Sequence, residues 1–191
     1  DGKVQALPGA NLPLATLGTF ILWLGWFGFN GGSELVISNV SEANAVAAVF
    51  VNTNAAAAGG VVAALLTAKV VLGRADLTMV LNGALAGLVS ITAEPLMPSP
   101  LTATLIGAVG GVIVVFSVLA LDRIRIDDPV GAISVHGVAG IWGLVAVPIT
   151  NSDASLLTQL TGAGIIFIFV LVASLITWMV IKVLFGLRVS E

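Results

Sequence analysis

Cysteine is absent from the 191-residue chain, and charged residues make up only 9% of it. The lack of cysteine excludes disulfides, zinc–thiolate sites and thiol chemistry. Soluble domains carry about 25% charged residues, so the scarcity of charge argues against an ordinary soluble domain. The seven basic residues form no cluster and the net charge is −3, which argues against a nucleic-acid partner. The first residues show no basic segment followed by a short apolar stretch, so we predict no signal peptide. Because the sequence begins with Asp1 rather than Met, we interpret the chain as a piece of a longer protein.

The chain contains long uncharged runs, and hydrophobic residues account for 58% of it. A helix that crosses a bilayer needs about 20 apolar residues, and six runs approach or exceed that length. The sequence therefore predicts an all-α integral membrane protein in the lipid bilayer, with six transmembrane helices in a single transmembrane domain covering residues 1–191. The predicted spans are about 12–33, 43–68, 77–93, 101–121, 129–149 and 154–181.

Basic residues predict the orientation of these six spans. With six spans both ends of the chain lie on one side of the membrane, and all seven basic residues fall on that side when the loops are assigned alternately. By the positive-inside rule this side is cytoplasmic, which predicts a multi-pass protein of the cell membrane with both ends of the chain in the cytoplasm. The basic residues are Lys3, Lys69, Arg74, Arg123, Arg125, Lys182 and Arg188.

Glycines recur at spacings that suit contact between membrane helices. Gly83 and Gly87 are four residues apart, as are Gly107 and Gly111, and this spacing lets helix backbones approach closely. The first predicted helix carries a stripe of its own. We call this helix, predicted at about residues 12–33, α1. Its stripe is named the α1 glycine stripe and consists of Gly18, Gly25 and Gly32, joined by Gly28.

His136 is the only histidine and the only titratable residue within the six predicted spans. Ionisable groups at membrane depth are costly and usually face a protein interior or a cavity. On α-helical spacing His136 shares a face with Ala132, Ala139, Gly140 and Gly143, all small residues. A neutral imidazole offers one donor and one acceptor, which suits a small hydride such as ammonia or water. The alternative is a structural histidine bonded to a neighbouring helix.

Trp26, Phe29 and Ser33 share one face of the first predicted helix, with Ser33 nearest the outer surface. Two interpretations stay open on spacing alone. The face is either an aromatic belt that packs at the membrane interface, or a site where aromatic rings and a hydroxyl oxygen meet a cation.

Asp127 and Asp128 precede Pro129, and they are predicted to cap the fifth helix rather than to act as a paired-carboxylate site. No metal-ligand cluster, nucleophile–base pair or phosphate-binding glycine loop is found in the sequence. We therefore predict no metal, no cofactor and no enzymatic activity.

These runs closely resemble the Amt/MEP/Rh ammonium transporter family. The run Gly25–Asn30, followed by Gly32 and Ser33, resembles the family's sixth-helix motif, and Asp127–Pro129 with Val135–Val138, Gly140, Trp142 and Gly143 resembles its tenth. Phe50–Thr53, Gly83–Val89 and Gly186–Val189 also fit, and the Trp-Phe-Gly-Phe-Asn run is similar to the Amt branch. The family fold has eleven helices, formed by two inverted five-helix repeats and a long final helix. The resemblance assigns this chain to helices six to eleven, the second repeat plus the final helix.

The resemblance also implies roles for individual residues. Ser33 corresponds to an outer ammonium-recruitment serine, Phe29 to one of two gating phenylalanines, Trp26 to a pore tryptophan and His136 to one of two pore histidines. It implies ammonium or ammonia as substrate, a homotrimer and a cytoplasmic regulatory protein as partner. The second histidine and the second phenylalanine belong to the first five helices of the family, so we expect the intact protein to supply this missing five-helix half, either on the same polypeptide or on a separate chain.

The resulting hypothesis is ammonium transport, in which NH4+ is recruited at the outer face, loses a proton near the aromatic gate and passes the histidine as NH3. Two alternatives stay open. One is an ammonium-sensing membrane domain coupled to a cytoplasmic signalling domain, and the other is a gas channel of the Rh kind.

Overall fold

The chain folds into six membrane-type helices in a computed structural model that describes residues 11–187. No strand occurs among these residues. Lys3, Arg188 and Val189, which entered the sequence interpretation, lie outside the described residues. The elements are α1 (Leu12–Gly32), α2 (Val40–Leu72), α3 (Leu77–Thr92), α4 (Pro100–Arg123), a π-helix (Ile133–Val138) that runs into α5 (Ala139–Thr150), and α6 (Leu156–Phe185).

The all-helical fold is the one predicted, and each helix begins and ends within four residues of its predicted span. Five helices are long and apolar enough to cross a membrane when the π-helix and α5 are counted as one. α3 is shorter, with 16 residues, so it rises about 24 Å against a hydrocarbon core of about 30 Å. Because α3 packs against α1, α2, α4 and α5, most of its surface contacts protein rather than lipid.

Polar side chains at the loop ends determine where four helices begin. Each accepts a hydrogen bond from a backbone N–H of the first turn, which would otherwise lack a partner. The caps are Asn11 for α1, Asn39 for α2, Asp76 for α3 and Ser99 for α4. α2 ends at Gly73, whose φ of +71° is the left-handed conformation that glycine adopts without strain.

The centre of the fold is the contact among α2, α3 and α4, and it is built from small residues. A Cβ at Gly107 or Gly87 would overlap the carbonyl of Ala56, and one at Gly111 would overlap the carbonyl of Gly60. Larger residues would push these helices apart, so the predicted close approach at the glycine pairs of α3 and α4 is confirmed. The α1 glycine stripe differs, because nothing in the described structure lies within 4 Å of where its Cβ atoms would be.

The fifth helix begins about three residues after its predicted start near residue 129. Pro129 and Val130 form a turn that is closed by a 3.0 Å hydrogen bond from the Gly131 N–H to the Asp128 carbonyl, and helical structure begins at Ala132. Gly131 ends the turn with φ +74°, a conformation that interrupts a right-handed helix. The Asp-Asp-Pro pattern was correct in indicating a helix start, but the left-handed glycine moves that start past the proline.

Candidate functional site

His136 lies in the π-helix and is exposed on the surface of the described chain. The predicted face of small residues around it is only partly present. Ala139 is buried, and Gly143 packs against the backbone of Ser90 in α3, whereas Ala132 and His136 are exposed. The π-helix has wider turns, with i→i+5 hydrogen bonds, so residues that follow it are rotated relative to α-helical spacing. Gly140 and Gly143 therefore pack against α3, and the imidazole lies on the exposed surface.

Trp26 of α1 is the ring that His136 meets. The two ring centroids are 6.5 Å apart and the planes differ by 12°, a stacked arrangement. Phe29, one turn further along α1, packs against the same indole at 5.6 Å with a tilt of 45°. Three of the four predicted site residues are thus in one row, although His136 is more than a hundred positions away from the other two in the sequence.

Ser33 is the C-cap of α1 and lies one helical turn beyond Phe29. Its hydroxyl donates a 2.7 Å hydrogen bond to the Phe29 carbonyl, so the proton of that hydroxyl is used within the helix. The oxygen lone pairs stay available to accept a hydrogen bond, because the residue is exposed. Ser33 is therefore arranged as an acceptor one turn from the exposed Phe29 ring.

The C-terminal half of α1 is held in place by two hydrogen bonds to other helices. The buried Asn30 amide donates to the Thr53 hydroxyl of α2 at 3.0 Å, and the Trp26 indole N–H donates to the Thr92 hydroxyl of α3 at 2.8 Å. Thr92 was not identified from the sequence. Its partner is 66 residues away and no local pattern marks it, so only the three-dimensional structure reveals the contact.

The run Phe50–Thr53 of α2 contacts α1 and the loop between α3 and α4. The Phe50 ring packs against Phe27 at 5.3 Å and fills the space beside Gly31. The Asn52 amide donates to the carbonyls of Pro95 and Pro98, which fixes the proline-rich loop between α3 and α4. This run therefore supports the position of α1 and the loop rather than facing the row of rings.

Asp128 fixes the start of the π-helix. Its two carboxylate oxygens accept hydrogen bonds from the backbone N–H groups of Ile133 at 3.0 Å and Ser134 at 3.1 Å. The Ser134 hydroxyl in turn accepts a 3.0 Å hydrogen bond from Ser117 of α4. Among the described residues, Asp127 makes no comparable contact with the helix. The segment that carries His136 is thus anchored at its first turn and to α4.

The row of site residues forms an open wall rather than an enclosed channel. Phe29 is 63% exposed, and His136 and Ser33 are also exposed, while Trp26 is half-buried against α3. The arrangement offers two aromatic faces for a cation, one hydroxyl acceptor and one imidazole with a donor and an acceptor. Such groups suit a small nitrogen hydride, and in the described structure they all lie on one open face.

Comparison with known proteins gives consistent results. The model of a family described as Ammonium Transporter Family matches residues 1–191. The ammonium transporter Amt2 of Archaeoglobus fulgidus is 45% identical over 149 residues, which cover 78% of this chain and 31% of that protein. A solved structure described as Sensor Amt Protein matches with a TM-score of 0.86 at 36% identity, covering 95% of this chain and 46% of the other. Mep2 of Candida albicans matches with a TM-score of 0.85 at 27% identity, covering 100% and 46%. The chain therefore spans less than half the length of these relatives.

Proposed function

The chain belongs to the ammonium transporter family, and we propose that it forms one wall of a pathway that carries ammonium nitrogen across a membrane. Ammonium is the proposed substrate at the outer end, where Ser33 accepts a hydrogen bond from it and the faces of Phe29 and Trp26 attract its charge. The ion loses a proton near Phe29 and passes His136 as ammonia.

The loss of a proton is argued from the cost of a charge in an apolar path. An ion between apolar walls faces a barrier on the order of several kcal/mol or more, whereas ammonia needs only hydrogen-bond partners. The imidazole of His136 supplies such partners. Below Phe29 the next side chains in the row are an indole face and this imidazole, so the row offers no acidic group that would stabilise a cation there.

The observation that carries the proposal is the stack of Trp26 on His136. It joins the two runs that resemble the family's motifs into one surface at a centroid distance of 6.5 Å. Two separate packing motifs would have no physical reason to place an aromatic row, a hydroxyl and the only histidine on the same open face.

The proposal includes the partners that would complete the pathway. A preceding five-helix half supplies the opposite wall, a second histidine and a second phenylalanine. The complete protein is proposed to be a homotrimer in the cell membrane, with both ends of this chain in the cytoplasm and available to a cytoplasmic regulatory protein. The incomplete coverage of the relatives and the open face of the row support the need for an opposite wall.

The test is His136→Ala in the full-length protein that carries this segment, reconstituted in liposomes. We expect ammonium flux to be abolished or to lose its selectivity against K+, because the pathway loses its internal hydrogen-bonding group. Thr161→Ala on α6 is the matched control, since its hydroxyl bonds only the Leu157 carbonyl of its own helix. Unchanged flux together with unchanged selectivity in the His136→Ala protein would rule against the proposal.

A second function is favoured by one observation, the match to a solved structure described as Sensor Amt Protein. In this alternative, ammonium binding to the same row drives a cytoplasmic signalling domain attached after α6. Determining the sequence that follows Glu191 in the intact gene distinguishes the two, because a kinase-like or cyclase-like domain favours sensing and a short tail favours transport.

A further inference from the structure

Trp26 differs from Trp142 in how its indole N–H is used. The Trp142 N–H donates to the backbone carbonyl of Ile106 at 2.9 Å, a partner that no side-chain substitution removes. The Trp26 N–H donates instead to a side chain, the Thr92 hydroxyl, at 2.8 Å. The orientation of the ring that stacks on His136 therefore depends on one hydroxyl group of another helix.

We propose that Thr92 is a positioning residue that holds the indole N–H of Trp26, the only donor of that side chain, away from the pathway. This inference rests on the transport function proposed above. With the donor held by α3, the indole presents its face to His136 and to a passing molecule. Thr92 itself need not touch the substrate.

The hydroxyl of Thr92 is oriented for this task. Its proton is donated to the Leu88 carbonyl of α3 at 2.7 Å, so its oxygen meets the indole as an acceptor. An indole has one N–H donor and no hydrogen-bond acceptor. Thr92 thus pairs the one hydrogen-bonding group of the Trp26 side chain. Both groups are partly buried, where an unpaired donor would be costly.

The chemistry of the substrate explains why a held donor matters. Ammonia accepts a hydrogen bond through its lone pair, and an indole N–H turned into the path would bind it there. A ring free to rotate would also lose its 12° alignment with the imidazole. Removing the Thr92 hydroxyl is therefore expected to slow the passage of ammonia for two reasons. The freed indole N–H would bind ammonia, and the stack of Trp26 on His136 would be lost.

The experiment compares Thr92→Val and Thr92→Ser in the full-length protein. We expect Thr92→Val to lower the maximal rate of ammonium uptake about three- to tenfold, the range that one lost hydrogen bond corresponds to, and Thr92→Ser to restore it. Thr177→Val is the matched control, because Thr177 also donates to a carbonyl of its own helix, that of Ala173, but has no indole partner. If valine prevents folding, Thr92→Ala serves the same comparison.

A double-mutant cycle and a spectroscopic signal separate positioning from a general structural role. In a Trp26→Phe background there is no indole N–H to hold, so Thr92→Val should cause no further loss of uptake. The ultraviolet resonance Raman band of indole N–H hydrogen bonding, assigned to Trp26 by difference from Trp26→Phe, should shift in Thr92→Val and not in Thr92→Ser.

Two results would overturn the inference: an unshifted Raman band with unchanged uptake in Thr92→Val, or an equal loss of uptake with and without Trp26. Its failure is distinguishable from failure of the transport proposal. If His136→Ala abolishes flux while Thr92→Val changes nothing, only the role of Thr92 is wrong. If His136→Ala changes nothing, the transport proposal fails whatever Thr92 does.

Discussion

Ser33 donates its own proton to the Phe29 carbonyl, and this single bond decides what the residue can offer to a ligand. With the proton engaged, the oxygen can act only as an acceptor, which suits an ammonium N–H and does not suit an anion. The adjacent aromatic faces favour the same charge.

We predict that Ser33→Ala raises the ammonium concentration at half-maximal uptake about tenfold while the maximal rate changes little. A hydrogen bond to a charged group contributes about 1.5–3 kcal/mol, and in the proposed pathway Ser33 makes it where the ion is recruited rather than where it is deprotonated. The measurement is the concentration dependence of uptake in the full-length protein. Ser33→Thr keeps the hydroxyl and should behave as the parent, and an unchanged half-saturating concentration in Ser33→Ala would contradict the assigned role.

Much of the row of site residues could be predicted from the sequence at the scale of single residues. Trp26, Phe29 and Ser33 lie at helical spacing, and the lone histidine was identifiable as unusual within an apolar run. The direction in which His136 points could not be predicted, because it depends on a π-helix that no local pattern announces. Thr92 could not be predicted either, since its role comes from a contact between α1 and α3.

At the scale of elements, the helices were predictable from the lengths of their uncharged runs, and the structure adds the residues that mark their starts. Asn11, Asn39, Asp76 and Ser99 each precede an apolar run and each caps a helix. The exception is the fifth helix, where Gly131 shifts the start past Pro129. Glycine spacing in α3 and α4 indicated close contacts, but which helix they contact, α2 in both cases, required the structure.

We predict that Gly107→Ala destabilises the full-length protein by about 1–3 kcal/mol, the usual cost of overpacking a tight contact. The added methyl group would meet the Ala56 carbonyl, which belongs to the α2 backbone and cannot rotate away. Gly164→Ala in α6 is the matched control, because nothing lies within 4 Å of its Cβ position and both variants share the same gain in helix propensity. Thermal unfolding in detergent measures the difference, and equal stability of the two variants would show that α2 and α4 do not pack as described.

On the scale of the whole molecule, the described chain has a tight centre and two sparsely covered helices. α6 contains no buried residue and contacts α5, while α1 buries only Thr19, Asn30 and Gly31. The chain spans less than half the length of its relatives. We propose that the five-helix half and a trimer of the complete protein cover both these faces and the open row of site residues.

The α1 glycine stripe tests this explanation, because its surroundings differ between the chain alone and the proposed complete protein. We predict that Gly18→Leu leaves the level of the separately expressed chain unchanged, since nothing among residues 11–187 lies within 4 Å of that Cβ position. When the five-helix half is co-expressed as a second polypeptide, the same substitution should reduce co-purification of the two halves and uptake together, because a leucine would separate helices that glycines allow to touch. Gly164→Leu in α6, also without neighbours within 4 Å, is the control. If Gly18→Leu leaves the halves associated and uptake intact, the stripe faces lipid and the missing wall packs elsewhere.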